Sequence, residues 1–474
     1  MNWYGAGIRQ YGTHRSLAGH RVLGIPRLGA VGLDAIIVPA TRPATYLDHA
    51  VTLARAAKCS LVILCSHYLD GREAKEYLDA RSFSEAIVIQ LPAGYAHPLF
   101  DFRRLLAIKD QLPPACGSHV TDLSMKRNVG LVLAKMVGWR RVFFLDDDIR
   151  DIAYPDLQRT VDMLGSFSAA GMWVTEFPDN SIVCHANRMT GGFQDVFVSG
   201  AALAVDCASD IGFFPDIYNE DWLFFFDAAS EGRLGNSYLK ATQLYYYPFA
   251  NADRAAWQEF GDVLAEGLYA LLHLKMNITH ASPRYWSLFR EARRDFLEAA
   301  YSRAQDAPLD IRHEMTASLQ SALKCLTGID PDLLARYVDA WRQDLKHWKR
   351  RWAEIPVMSS ADEALAKLGL ATTPADSTRS ILHPLDRAKP LLEPGPVIIP
   401  KFDTLRKIQE HYAAQRLGSP GPDERRSTKP LSILPHEDGR QRRYRWLNAP
   451  AQRKRHLSDP RNPAILLAGM GIFL

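Results

Sequence analysis

The six cysteines of this 474-residue chain include no Cys-x-x-Cys pair, which excludes a zinc knuckle or redox dithiol of that spacing. Several, such as Cys65 at the end of the apolar run 61–65, lie inside hydrophobic stretches. Reduced, packed thiols in a cytoplasmic protein are therefore expected. No uninterrupted apolar stretch approaches the ~20 residues that a membrane-spanning helix needs. The first residues lack a basic region followed by an apolar core, so no secretory signal is expected. There is no Gly-x-x-x-x-Gly-Lys loop for phosphoryl transfer and no Gly-x-Ser-x-Gly elbow. Gly5-Ala6-Gly7 follows no strand and has Gln10 where a dinucleotide fingerprint requires glycine. His313-Glu314 lacks the second histidine of a zinc-protease helix, because Ala317 occupies its place.

What the chain does contain is ordinary in bulk and uneven in detail. A hydrophobic fraction of 47% with 23% charged residues describes a globular protein. A net charge of +4 makes no case for a nucleic-acid partner. The length allows a catalytic domain and a further unit. Residues 1–33 show no periodicity and are read as an N-terminal extension. From Leu33, short apolar runs at 35–38, 61–65 and 86–89 alternate with helical patterns, which indicates βαβ units and a buried parallel sheet. A helix over 126–138 feeds a strand at 141–145, and β-like pieces follow at 172–177 and 196–205. Ser199-Gly200-Ala201-Ala202 lies inside the second, where small residues permit close approach.

After Ala250 the pattern is helical over 255–274, 285–303, 309–326 and 331–352. The expected domains are 34–250 for the sheet unit, 251–370 for a helical subdomain, and 371–474 for a Pro-rich basic tail, largely disordered. That tail gathers Arg440, Arg442, Arg443, Arg445, Arg453, Lys454 and Arg455 ahead of an apolar end. It is read either as a solvated segment or as a weak peripheral attachment to an anionic membrane face.

The chemistry concentrates at Asp146-Asp147-Asp148, directly after the strand at 141–145. Open α/β sheets bind ligands beyond the carboxyl ends of their strands. A hard divalent cation takes one or two carboxylates together with phosphate oxygens and waters. On an extended segment Asp146 and Asp148 would face the same side, which makes them the candidate metal pair, with Asp147 turned toward a nucleotide or its ribose.

The run Lys126-Arg127-Asn128-Val129-Gly130-Leu131, followed by Val142-Phe143-Phe144-Leu145 and the three aspartates, resembles family-2 glycosyltransferases of the GT-A type. Val38-Pro39-Ala40-Thr41-Arg42 is similar to their opening strand, and Asn219-Glu220-Asp221-Trp222 to their Glu-Asp motif. The likeness covers roughly residues 34–235. It implies a GT-A α/β fold, with a mostly parallel sheet flanked by helices. It also implies transfer of a sugar from a nucleotide-diphospho-sugar donor to an acceptor hydroxyl, dependent on Mn²⁺ or Mg²⁺. The acceptor class, whether saccharide, lipid-linked or small molecule, is left open. Pro39, Thr41, Arg42, Lys126, Arg127, Asn128 and Asp147 would then bind the donor. Lys126 and Arg127 would present cationic charge near a helix N-terminus. Asp221 would be the general base, in apolar surroundings that raise its pKa, with Glu220 catalytic beside it or holding the acceptor.

A further metal ligand could come from His273 or His280, with nothing to choose between them. Glu259, Asp262 and Glu266 fall on one helical face and are read as solvated, the alternative being a second acidic constellation in the site. A sugar-nucleotidyltransferase is the nearest rival, but the 39–43 turn lacks that group's glycine-rich loop. An inactive GT-A-like binding or assembly module is the other.

Overall fold

A computed structural model describes residues 32–117, 122–175, 181–192 and 198–373. Almost all of the expected N-terminal extension, and the tail beyond residue 373 with its solvated and membrane readings, lie outside them.

The chain opens as strand–helix alternation: β1 (Ala35–Ala40), α1 (Asp48–Ala57), β2 (Ser60–Cys65), α2 (Gly71–Asp79), β3 (Ile87–Gln90), α3 (Leu123–Val137) and β4 (Arg141–Leu145). The apolar runs are strands because both of their faces are covered. Ile36, Val38, Ile63, Phe143 and Leu145 join one core with α1. Ala35, Ile37, Val62, Leu64, Val142 and Phe144 join the other with α3. Glycine at position 130 lets α3 lie close, since a Cβ there would come 2.9 Å from Ile37 and 3.3 Å from Phe144.

There follow β5 (Ile149–Arg150), α4 (Tyr154–Asp162), β6 (Ala169–Thr175), α5 (Ile182–Met189), β7 (Ala202–Asp206), α6 (Glu220–Phe224) and β8 (Leu234–Gln243). The strand expected over 196–205 is shorter and later: Ser199, Gly200 and Ala201 lead into β7, and 193–197 lie outside the described residues. The eight strands form one sheet in the order β3-β2-β1-β4-β7-β6-β8-β5. It is mixed: β1 pairs in parallel with both β2 and β4, whereas β7 is antiparallel to β4 and β6.

From β1 the chain moves outward to β2 and β3, then returns across β1 to β4. The sheet order therefore reverses between β1 and β4. Their ladder stops at Ile37 and Phe144; beyond it the end of β1 and the segment after β4 are joined by side chains, at the position where open α/β sheets form a binding crevice. Pro39, which has no N–H to give a ladder, falls where that pairing has already ended.

The rest is helical: α7 (Asp253–His273), α8 (Pro283–Ala304), α9 (Leu309–Gly328), α10 (Pro331–Glu354) and α11 (Ala361–Lys367). These helices share one continuous apolar core with the α3 face of the sheet. Among the described residues no helix is long and apolar enough to cross a membrane. All six cysteines are free, and four of them are buried.

The acidic face of α7 corrects the expectation of a solvated surface. Glu259, Asp262 and Glu266 are buried around Arg293 of α8, which is itself fully buried. Arg293 donates to both oxygens of Glu259 at 2.9 Å, to Asp262 at 2.8 Å and to Glu266 at 2.8 Å. The partner stands 27–34 residues downstream, beyond the reach of local periodicity. Its signal is a cation at a position flanked by the buried Phe289 and Phe296 on the same helical face. Removing it leaves three uncompensated carboxyl groups in the core. Arg293→Met is therefore expected to cost about 3–5 kcal/mol of stability, measured by chemical denaturation. A loss below about 1 kcal/mol would show the cluster to be energetically idle.

Candidate functional site

The crevice between the carboxyl ends of β1 and β4 is a topological switch point, the place where open α/β sheets bind ligands. Asp146-Asp147-Asp148 lines it, but not as an extended segment. The N–H of Ile149 donates to the carbonyl of Asp146 at 3.1 Å, so the aspartates form a turn. Their carboxylates consequently have different partners, and the extended segment expected at 146–148 is a turn instead.

Asp147 is turned back onto the loop after β1. Its Oδ2 accepts the N–H of Thr41 at 2.8 Å and that of Arg42 at 2.9 Å, and its Oδ1 pairs with the Arg42 guanidinium. With its side chain 2% exposed, Asp147 shapes the loop after β1. Asp148 accepts from Arg42 at 2.8 Å and from Gln243, at the end of β8, at 3.3 Å. Arg150 folds over the turn, donating to the carbonyls of Asp147 and Ile149 at 2.8 and 2.7 Å. Its guanidinium carbon lies 5.4 Å from the ring centre of Tyr46.

Asp146 belongs to a second group. Arg127 of α3 donates through Nη2 to both of its oxygens, at 2.9 and 3.0 Å, and through Nη1 to Glu220. Gly200 makes room for this: a Cβ there would lie 2.8 Å from Arg127 Nη1 and 2.9 Å from Asp221 Cβ. Asp221 accepts the N–H of Gly200 at 2.6 Å and that of Trp222 at 2.9 Å. Phe214 stacks on Phe224 at 4.1 Å, and the Arg127 guanidinium carbon lies 5.5 Å from the Phe214 ring centre.

Helix α3 begins at Leu123, three residues before the expected start. Lys126 and Arg127 are thus the fourth and fifth residues of the helix, and both are buried. Lys126 donates to the carbonyl of Ala40 at 2.7 Å and lies 3.4 Å from Asp122. The amide of Asn128 is used at both ends by the backbone of Phe214, at 2.8 Å each way. Lys126 and Asn128 therefore tie α3 to the end of β1 and to the segment before α6.

Two contributors carried no recognisable motif: Gln243 and Arg150. The Glu-Asp turn is anchored by Asn219, in the left-handed region at φ 63°, whose amide donates to Asp262 at 2.9 Å. Tyr269 of α7 donates to the carbonyl of Trp222 at 2.9 Å. The face of α7 that bears the Arg293 cluster therefore holds the Glu220–Asp221 turn from behind.

Of the two histidines considered as metal ligands, His280 is exposed and bonded to Asn277, and His273 closes α7. Among the described residues only Cys184, Asp262 and Glu266 bring three potential ligand atoms within 4.8 Å of one another. That buried trio could bind a metal without being specific for Mn²⁺ or Mg²⁺, but Arg293 already supplies a cation there. In the crevice, the carboxylates of Asp146 and Asp148, with side chains 20% and 8% exposed, are the hard oxygen donors such ions take.

No protein-family model matches the chain, and no curated protein matches it.

Burial raises the Glu220 carboxyl to about 8, against the opposing pull of Arg127, and raises Asp221 as well. It raises Glu259 and Glu266 to about 7. The folded chain thus keeps protons that the unfolded chain releases above the ordinary glutamate value of 4.5, and stability falls as pH rises through that window. His49, lowered by burial to about 4 from an ordinary 6.5, opposes this at lower pH, where its neutral folded form loses stability as pH falls. Above pH 6.5 the carboxyl effect stands alone among these groups. The melting temperature is expected to drop between about pH 6.5 and pH 8. A level or rising melting curve over that interval would contradict these protonation states.

Proposed function

We propose that this chain is a divalent-metal-dependent glycosyltransferase with a GT-A-type fold, moving a sugar from a nucleotide-diphospho-sugar donor to an acceptor hydroxyl. The observation that carries this reading is the meeting, at one switch-point crevice, of the β1 loop, the three aspartates after β4 and the buried Glu220–Asp221 pair.

Asp146 and Asp148 would hold Mn²⁺ or Mg²⁺, which when bound supplies positive charge to a diphosphate. The loop at Pro39, Thr41 and Arg42 lies beside them, its backbone set by Asp147, where it can receive the nucleotide end of a donor. Glu220 is raised by burial against the opposing pull of Arg127; bound by that guanidinium, it would hold the acceptor hydroxyl rather than take its proton. Asp221 is the better base, because the Gly200 and Trp222 N–H groups fix its orientation and each oxygen retains a lone pair. It would take the hydroxyl proton as that oxygen attacks the anomeric carbon. Asp146, bound by the same guanidinium as Glu220, couples the donor end to the acceptor end.

An inactive binding module is favoured by one observation: each of the three aspartates already has an arginine partner. Turnover separates the two readings.

Thermal shift with UDP-, GDP- and dTDP-sugars, with and without Mn²⁺, is expected to show stabilisation by one nucleotide class only with metal, lost in Asp148→Ala. If no nucleotide stabilises the protein in the presence of metal, the transferase reading fails. With the stabilising donor, Asp221→Asn is expected to lower kcat about 10²–10⁴-fold while leaving the donor-induced shift intact. Undiminished turnover would remove Asp221 from the base role.

A further inference from the structure

Two of the free cysteines are in contact. Cys116 lies on the single-turn helix Pro114–Gly117, and Cys325 in the last turn of α9. Their sulfurs stand 3.8 Å apart across 209 residues of chain, and this is the one thiol–thiol contact among the described residues. The two differ in access: Cys116 is half-buried and Cys325 is buried. The Cys116 sulfur also lies 3.8 Å from the carbonyl oxygen of Ala256 on α7. The contact therefore sits where the segment leading into α3 packs against the helical region. A packed thiol needs no second sulfur beside it. Joining these two requires closure from 3.8 Å to about 2.0 Å, and Cys116 is carried by only one helical turn.

We propose that Cys116 and Cys325 form a thiol-oxidation site that takes a small-molecule disulfide as oxidant and fastens the segment before α3 to α9. The accessible partner reacts first. Its hydrogen bond with Cys116, and then burial, raise the Cys325 thiol, so Cys325 is the resolving group and not the attacking one. The Cys116 thiolate, its proton lost to solvent, attacks one sulfur of the oxidant. That S–S bond breaks, a mixed disulfide forms on Cys116, and one half of the oxidant leaves as a thiol. Cys325 then gives up its proton, its sulfur attacks the Cys116 sulfur, and the second half leaves as a thiol. Two protein thiols are oxidised while one disulfide is reduced to two thiols. The new bond would fix the approach to α3, which begins at Leu123 and carries Arg127. This chemistry is independent of the transferase reading.

In the test, full-length protein is incubated with oxidised glutathione at neutral pH. Free thiols are then blocked with N-ethylmaleimide under denaturing conditions, and the unreduced digest is analysed by mass spectrometry. The expected product is a peptide pair linked through Cys116 and Cys325, released by dithiothreitol, with Cys65, Cys184 and Cys207 recovered as blocked thiols. Cys325→Ser is expected to lose the link and to accumulate the glutathione mixed disulfide on Cys116. Cys116→Ser is expected to leave Cys325 a free thiol. Wild-type Cys116 that stays as the mixed disulfide, links to another cysteine or remains unmodified overturns the proposal, whether or not either variant folds. A bond across 209 residues also restricts the unfolded chain. Oxidised wild type is therefore expected to melt about 3 °C or more above the reduced protein. An equal or lower melting temperature would show that the fold does not accommodate the bond, and would overturn the proposal as well.

Discussion

The guanidinium of Arg127 is the point on which the crevice depends. It is buried, yet it stays charged because Asp146 lies on one side of it, Glu220 on another and Asp221 close by. Burying a charge is tolerable only when it is paired and hydrogen-bonded, and here the pairing joins segments more than seventy residues apart in the chain. Helix α3 can bring the group there because Gly130 lets it settle onto the sheet, and the turn before β7 can accept it because position 200 has no side chain. A change in any of these parts would leave a carboxylate or the guanidinium unmatched in an apolar wall. The acidic residues at the two ends of the crevice are therefore one electrostatic unit.

The elements that build this frame were legible because their signals are local. The runs at 35–38, 61–65 and 141–145 are short, β-branched or aromatic, and bounded by turns, and each is a buried strand. The long helices after residue 250 follow from their 3.6-residue periodicity. The ends were less legible. Asp122 does not cap α3 with its side chain, which lies instead near Lys126 and His67, so no capping pattern marked the start at Leu123. The turn at 146–148 was read as extended because three adjacent aspartates say nothing about dihedral angles. Arg42, from another strand end, and Gln243, from β8, were needed to show how the carboxylates divide.

Charged residues inside a helix posed the opposite difficulty. Glu259, Asp262 and Glu266 satisfy the spacing of a solvated face as well as they satisfy that of a buried one. What distinguishes the two is the partner, and Arg293 lies on a different helix. Lys126 and Asn128 present the same problem in a smaller way. Both matched a motif, but their polar ends are consumed by the backbone at Ala40 and Phe214. A motif match does not distinguish residues that could touch a ligand from residues that hold the walls together.

The helical region is consequently more than a cover. Asp262 stands between two assignments: one oxygen is held by Arg293 and the other receives the Asn219 amide. Asn219 occupies the left-handed backbone region, which asparagine enters more readily than most residues, and the residue after it begins the Glu220–Asp221 helix. Three residues on, the carbonyl of Trp222 is held by Tyr269 from the same α7 helix. The acidic pair is thus gripped on both sides by one rigid helix, whose position is set by a buried ionic cluster. A carboxylate whose protonation depends on distances to Arg127 and to the Gly200 N–H needs that rigidity, because a shift of an ångström would change both interactions at once. The helices after Ala250 therefore help to fix the position of the Glu220–Asp221 turn.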